Sequence, residues 1–139
     1  MLDQPTLARH LEALGWSARP HGERTFRAVH DTVEGEINVY VRLGDNWLIA
    51  SVVPFLPTRG KITFELSRWL LRQNRDMFQA KFAYDEDGDV VLTVELPTES
   101  IDFSEIQVAL TELVENAVRH RATLRAAAAQ ARGGRPKAT

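Results

Sequence analysis

Apolar and polar residues alternate most clearly between residues 36 and 43. Four aliphatic side chains fall on one face of an extended segment there, and four polar or aromatic ones fall on the other: Ile37, Val39, Val41 and Leu43 against Glu36, Asn38, Tyr40 and Arg42. This period of two predicts a β-strand with one buried and one solvated face. A weaker alternation predicts a strand from Arg24 to His30 before it, and residues 44–46 suit a hairpin turn after it.

Residues 47–55 are predicted to form the third strand, and both of its faces are apolar. One face carries the larger side chains and the other the smaller ones: Trp47, Ile49, Val53 and Phe55 against Leu48, Ala50 and Val52. This pattern is typical of a central strand, or of a strand whose outer face meets a partner. Pro54 and Pro57 are expected to stop the ladder, and residues 58–61 are predicted to form a loop.

Three segments show the spacing of amphipathic helices. Residues 6–15 and 64–74 are predicted to form short helices, and Thr63 is placed to cap the second. The third helix begins at Asp102 or Ser104 and is the longest. Its apolar stripe contains Ile106, Leu110, Leu113, Ala117, His120, Leu124, Ala127 and Ala131.

A second predicted hairpin lies between the last two helices, with strands at 80–84 and 90–96 around an acidic turn. The element order is therefore α-β-β-β-α-β-β-α. Strands joined by tight turns pair antiparallel, so we expect an α+β fold with a sheet of about five strands. Residues 1–132 are predicted to form one domain, and 133–139 a flexible basic tail. Three helices can cover one sheet face, so the other is predicted to be polar or covered by a second copy.

Composition adds little to this picture. Of the 139 residues, 44% are hydrophobic and 26% are charged, and these proportions are ordinary for a soluble domain. The net charge of −2 gives no global attraction to nucleic acid or membrane. Cysteine is absent, the first residues do not form a signal-peptide pattern, and no apolar run is long enough to span a membrane. We expect a cytoplasmic protein without a membrane partner.

No residue pattern indicates a catalytic or metal-binding site. Asp85, Asp87 and Asp89 surround Gly88, but the glycine and the final carboxylate of a calcium loop are missing from their required positions. The four histidines lack metal-ligand spacing, and the His30–Asp31 pair has no serine in a nucleophile context. The sequence therefore predicts no enzyme, no cofactor and no metal. His120 is expected at a boundary near the sheet edge, with a pH-sensitive interface contact as the alternative.

The end of the chain is basic, and it supports an alternative function. Five cations follow the apolar part of the last helix: Arg121, Arg125, Arg132, Arg135 and Lys137. Such a cluster can bind phosphate backbones in a salt-dependent manner, although no aromatic residues are interleaved for base stacking. Cations at a helix C-terminus also complement its dipole, so the sequence favours a solvated helix end, with contact to nucleic acid or an acidic protein as the alternative.

The second hairpin and its flanks resemble the YbjN family of small bacterial proteins. The resemblance rests on KFAYDEDGDVVL at residues 81–92, with LLRQN at 70–74 before it and ELP at 95–97 after it. It covers residues 66–106 and carries no catalytic residue. These proteins are similar in fold to type III secretion chaperones, which are dimers that hold extended segments of partner proteins. The resemblance implies a role in protein binding.

We therefore expect a non-enzymatic homodimer that acts as an adaptor or chaperone for a second protein. Nucleic-acid association through the basic end is the alternative. The apolar third strand and the long helix supply the residues predicted for self-association or partner contact: Trp47, Ile49, Val53, Phe55, Leu113 and Leu124.

Overall fold

The structure is a computed structural model that describes residues 1–133. At residues 125 and 127–133 it describes the backbone alone. Three helices and six strands follow one another along the chain. They are α1 (Gln4–Ala13), β1 (Arg19–Pro20), β2 (Thr25–Thr32), β3 (Gly35–Leu43), β4 (Trp47–Leu56), α2 (Phe64–Asp76), β5 (Lys81–Tyr84), β6 (Val90–Pro97) and α3 (Phe103–Gly133). The predicted basic tail lies, except for residue 133, outside the described residues.

All six strands form one antiparallel sheet in the order β1-β2-β3-β4-β6-β5. The predicted α+β class and antiparallel pairing are confirmed. The strand count differs because β1 contains two residues, which is too short to produce a periodic pattern. β4 lies inside the sheet between β3 and β6, as expected for a strand with apolar residues on both faces.

The core lies between the three helices and one face of the sheet, here called the inner face. β3 contributes its four predicted aliphatic residues, and β4 and β6 contribute seven more. These residues are Ile37, Val39, Val41, Leu43, Leu48, Ala50, Val52, Phe55, Val90, Leu92 and Val94. The helices bury Leu7, Leu11, Leu70, Ile106, Leu110 and Leu113 against them. Each fully buried side chain of this size contributes about 1.5–3 kcal/mol relative to an exposed one.

Side-chain caps define where each helix begins. The Asp3 carboxylate accepts the Thr6 N–H at 2.9 Å, and the Thr63 hydroxyl accepts the Leu66 N–H at 3.1 Å. At α3 the Asp102 carboxylate accepts the Glu105 N–H at 2.8 Å. Thr63 and Asp102 therefore act as the predicted caps, since each satisfies an N–H that lacks an intrahelical partner.

The acidic turn between β5 and β6 binds another loop of the same chain. The Asp85 carboxylate accepts the Asp87 and Asp89 N–H groups at 2.9 and 3.0 Å, which folds the turn onto itself. The Asp89 carboxylate accepts the Arg59 N–H at 2.6 Å, and the Gly88 carbonyl accepts the Gly60 N–H at 3.1 Å. The turn is therefore a docking point for residues 58–60, a role that its composition did not reveal.

Gly88 is required for this contact. Its φ of +77° is in the left-handed region, and a Cβ built there would lie 2.5 Å from the backbone nitrogen of Gly60. Any side chain at residue 88 must therefore displace the loop as well as adopt a strained backbone conformation.

We expect Gly88→Ala to destabilise the protein by roughly 2–4 kcal/mol, because it combines backbone strain with a steric clash. Gly22→Ala is the matched control, since Gly22 has a φ of +76° and nothing within 4 Å of its Cβ position. Urea unfolding of both variants separates the two effects. Equal losses of unfolding free energy would show that the contact with Gly60 contributes nothing.

Candidate protein-binding surface

The second face of the sheet, here called the open face, is not covered by any element within residues 1–133. Trp47 is 48% exposed there, and Val29 is 41% exposed. Ile49 and Val53 are half-buried, and they lie along β4 on the same side as Trp47. The open face therefore presents apolar side chains along the middle of the sheet, which is where the sequence predicted a partner surface.

Polar side chains interrupt the apolar ones on the open face. The Ser51 hydroxyl donates to the Thr93 hydroxyl at 2.9 Å, across the β4–β6 pair. The Arg27 guanidinium donates to the Asn38 side-chain oxygen at 2.8 Å, across β2 and β3. These bonds hold the polar side chains in place between neighbouring strands. The surface that remains for a partner is centred on Trp47, Ile49 and Val53.

Phe55 does not lie on the open face, contrary to the sequence prediction. The β4–β6 pairing shifts in register between Val52 and Leu56, and this irregularity changes which side chains point inwards. Phe55 is 1% exposed, and its ring contacts the Phe82 ring edge-on at a centroid distance of 4.9 Å. A period-two pattern cannot predict such a shift, because it assumes uninterrupted alternation.

The two interface residues predicted on α3 occupy different environments. Leu113 is completely buried in the core, so it is not accessible to a partner in this fold. Leu124 is half-buried and packs at the margin of the core. Its contact with a partner remains a prediction.

His120 lies inside an aromatic cluster instead of at a boundary position. It is 7% exposed, and its ring lies 5.6 Å from the Trp69 ring and 5.4 Å from the Phe82 ring. Its Nε2 atom has no hydrogen-bond partner among the described residues. Burial lowers the pKa of His120, and the neighbouring Arg119 lowers it further, because both oppose a positive charge on the ring.

His30 and Asp31 do not form a catalytic pair. They are consecutive residues of β2, and the strand directs His30 towards the inner face and Asp31 towards the open face. The His30 ring contacts the Trp16 ring at 4.3 Å, and burial lowers the pKa of His30. Among the described residues, no group of three or more histidine and acidic side chains could hold a metal ion.

Arg121 has a structural role that the sequence analysis did not predict. Its guanidinium donates to the carbonyl oxygens of Glu36 at 2.9 Å and Pro54 at 3.2 Å. It also lies 5.6 Å from the centroid of the Phe55 ring. Arg121 therefore joins α3 to the irregular end of β4. Because its guanidinium is engaged by these carbonyl groups, they compete with the phosphate contact predicted for it.

The other cations of the alternative function cannot be placed in the same way. Arg125 and Arg132 belong to α3, whose backbone is described there without their side chains. Arg135 and Lys137 lie outside the described residues. Within the described part of the chain, no helix combines the length and the hydrophobicity needed to cross a membrane.

Comparison with known families supports the resemblance found in the hairpin. The model of the YbjN family, described as "Putative bacterial sensory transduction regulator", matches residues 5–126. The match therefore extends on both sides of the segment that carried the sequence resemblance, and the predicted family is confirmed. No curated protein sequence matches the chain.

Three solved structures illustrate the similarity in fold. YbjN from E. coli is 18% identical and has a TM-score of 0.56, with 85% of this chain and 94% of that chain covered. The Yersinia pestis type III secretion chaperone SycH, in complex with a stable fragment of YscM2, is 20% identical at a TM-score of 0.56 and coverages of 81% and 94%. The ExoU–SpcU complex of the Pseudomonas aeruginosa type III secretion system is 19% identical and has a TM-score of 0.57, with 80% of this chain and 91% of that chain covered. The predicted similarity to the secretion-chaperone fold is confirmed.

We expect Arg121→Ala to lower the free energy of unfolding by roughly 1–3 kcal/mol, because it leaves carbonyl groups of β4 without their charged donor. Arg121→Lys should recover only part of this loss, since lysine cannot span the same acceptors. Arg72→Ala is a suitable control, because Arg72 is an exposed helical arginine with no hydrogen bond or ion pair among the described residues. Urea unfolding measures all three, and an equal loss at residues 72 and 121 would contradict the structural role.

We expect stability to fall as the pH decreases below 6.5, the ordinary pKa of histidine. His30 and His120 have lowered pKa values in the folded state, so the unfolded state binds protons first and is favoured as the pH falls. The loss continues until the folded-state pKa values are passed. His120→Phe should reduce the pH dependence measured by urea unfolding between about pH 7.5 and pH 5. An unchanged dependence would exclude His120 as a contributor.

Proposed function

Because this chain belongs to the YbjN family and leaves one sheet face uncovered, we propose that it is a non-enzymatic protein-binding module. It acts as an adaptor or chaperone for a second protein, in the cytoplasm and as a homodimer. The observation that carries the proposal is the apolar row that β4 presents on the open face, formed by Trp47, Ile49 and Val53.

The composition of this surface fits protein recognition. Tryptophan is enriched among the residues that dominate binding energy, because its ring buries a large area and can also donate a hydrogen bond. Trp47 is half exposed and does not belong to the buried core, so its ring is available to a partner. The polar side chains around it, such as Ser51 and Thr93, match the mixed character of non-obligate interfaces.

The complexes in which similar folds are found agree with this proposal. SycH is bound to a fragment of YscM2, and SpcU forms a heterodimeric complex with ExoU. A fold with one uncovered sheet face is suited to such contacts, because a partner can bury apolar surface without rearranging the core. We extend this binding role to the present chain, and we assign Leu124 at the margin of the core to the dimer contact.

We expect Trp47→Ser to weaken self-association or partner binding by roughly tenfold or more, since it removes the largest side chain of the open face. Val33→Ser is the matched control: Val33 is 92% exposed but lies in the turn between β2 and β3. Light scattering at micromolar concentration measures the oligomeric state. Affinity capture from native lysate, with and without nuclease, compares partner recovery by the two variants.

The outcomes distinguish the functions. A dimer and a dominant nuclease-resistant partner, both reduced by Trp47→Ser, would support the proposal. A monomer in light scattering would refute its homodimer part. Captured proteins that are lost after nuclease treatment would instead support nucleic-acid association through the basic end of the chain.

A further inference from the structure

The open face carries a cluster of cations beside the apolar row of β4. The sheet register places Arg19 of β1 directly opposite Arg27 of β2, and Arg27 directly opposite Tyr40 of β3. Arg42 lies two residues beyond Tyr40 on the same side of β3, and is therefore diagonal to Arg27. Opposite side chains of a sheet are about 5 Å apart and diagonal ones about 7–8 Å. We call Arg19, Arg27 and Arg42 the basic cluster.

The three cations of the basic cluster are exposed and are not neutralised by the fold. None of them forms an ion pair among the described residues. The Arg27 guanidinium donates to the Asn38 amide oxygen at 2.8 Å, which holds it in place without compensating its charge. Like charges directly opposite each other destabilise a sheet, so the Arg19–Arg27 pair carries a cost that a bound anion would relieve.

The carboxylates on the strands of the open face lie away from the basic cluster. They are Asp31, Glu36 and Glu95. The first two are opposite each other at the far end of β2 and β3, and Asp31 is four residues, or about 13 Å, from Arg27 along β2. Glu95 is on β6, and Ile49 of β4 lies between it and Arg42.

The charged groups around the ends of these strands do not cancel the basic cluster. Arg24 and Asp45 pair with each other at 3.7 Å, and the Lys81 ammonium donates to carbonyl oxygens at the end of α2. Glu99 follows β6, on the other side of β4 from the cluster. Glu23, in the turn before β2, is the nearest carboxylate in the sequence, and it can offset one of the three positive charges at most. This part of the open face is therefore locally positive.

The basic cluster borders the apolar row. Arg42 is directly opposite Ile49 on β4, and diagonal to Trp47. Trp47 also lines a hollow of about 340 Å³ with Pro97 as one of its neighbours. An anionic group at Arg42 and an apolar group at Trp47 would be about 7–8 Å apart, a distance that roughly two residues of an extended chain span.

An acidic protein segment fits this surface better than a nucleic acid does. Within the described residues the strands place two aromatic rings on the open face, and the Tyr40 ring already contacts the His21 ring at 5.1 Å. Trp47 is then left as the exposed platform, whereas successive bases need several. The aliphatic Ile49 and Val53 instead match the side chains of a protein. A protein segment can also keep its carboxylates at the positive part of the face, whereas a phosphate backbone is charged along its whole length.

We propose that the open face binds an acidic segment of a partner protein. Carboxylates of the segment pair with Arg27 and Arg42, Arg19 adds a third cation, and an apolar side chain of the segment packs on Trp47. Arginine suits this role because it binds a carboxylate through two parallel hydrogen bonds. The inference rests on the proposed function and gives its partner a defined chemistry.

Fluorescence anisotropy with a synthetic probe tests this proposal on the full chain. The probe is a labelled peptide of about twelve residues, in which glutamates are placed two residues from leucines. Its matched control replaces every glutamate by glutamine and keeps the leucines. We expect the glutamate probe to bind roughly tenfold or more tightly at about 0.05 M NaCl, and this preference to shrink at about 0.5 M.

Variants locate the bound probe. Arg42→Glu and Trp47→Ser should each weaken binding of the glutamate probe by roughly fivefold or more, because they remove its ionic and apolar contacts. Arg9→Glu is the matched control for charge, since it makes the same change in net charge on α1, which packs on the inner face. It should have little effect on binding. Urea unfolding of each variant confirms that it remains folded.

Arg19→Gln separates binding from stability. It should weaken binding of the glutamate probe several-fold, yet leave the free energy of unfolding unchanged or higher, because it removes the repulsion between Arg19 and Arg27. Unchanged probe binding, or a lower free energy of unfolding, would contradict the assignment of Arg19 to the site.

Four results would overturn the inference. Equal binding of the two probes would exclude an acidic partner, and the proposed function would stand if Trp47→Ser weakened both. An equal loss with Arg9→Glu and Arg42→Glu would show a general attraction of charge. A labelled thymidine 12-mer that bound more tightly than the glutamate probe, and was released by Arg42→Glu, would assign the cluster to nucleic acid. A dimer that Arg42→Glu converts to a monomer would identify a second copy as the occupant.

Discussion

One-sided burial of the sheet is the constraint on which the rest of the structure depends. Three helices are enough to cover the inner face, where β3, β4 and β6 place their aliphatic side chains. The opposite face must then tolerate water or receive a partner. The chain meets this requirement with hydrogen-bonded polar pairs such as Ser51–Thr93, but it retains Trp47, Ile49 and Val53 on the open face of the inner strand β4. The same constraint that stabilises the domain therefore creates its proposed binding surface.

Regular periodicity explains which parts of this structure could be predicted from the sequence. The alternation in β3 and the stripe of α3 correctly identify Val39 and Ile106 as core residues, because both elements are uninterrupted. Prediction fails where the backbone departs from regularity. The register shift of β4 turns Phe55 inwards. This shift does not follow from the residue types along β4, so it could not be found from composition or spacing alone.

Long-range contacts of charged groups were also hidden from sequence reasoning. Arg121 looked like one member of a basic cluster, yet its acceptors are carbonyl oxygens of Glu36 and Pro54, far away in the sequence. The Asp89 carboxylate similarly bonds the Arg59 backbone. A charged side chain can bind any carbonyl or N–H that the fold brings near, and main-chain acceptors leave no mark in the sequence. Assigning surface charges to ligands therefore requires the fold first.

The edges of the sheet restrict how a partner can bind. At one edge, the Asn74 amide occupies both the N–H and the carbonyl of Phe82, so α2 closes β5 to a further strand. At the other edge, β1 contains only Arg19 and Pro20, and proline has no N–H to donate. An extended segment therefore finds no long free edge to pair with among residues 1–133. Recognition must then depend on side-chain surfaces, and the open face is one that exposes apolar groups beside hydrogen-bonded polar ones.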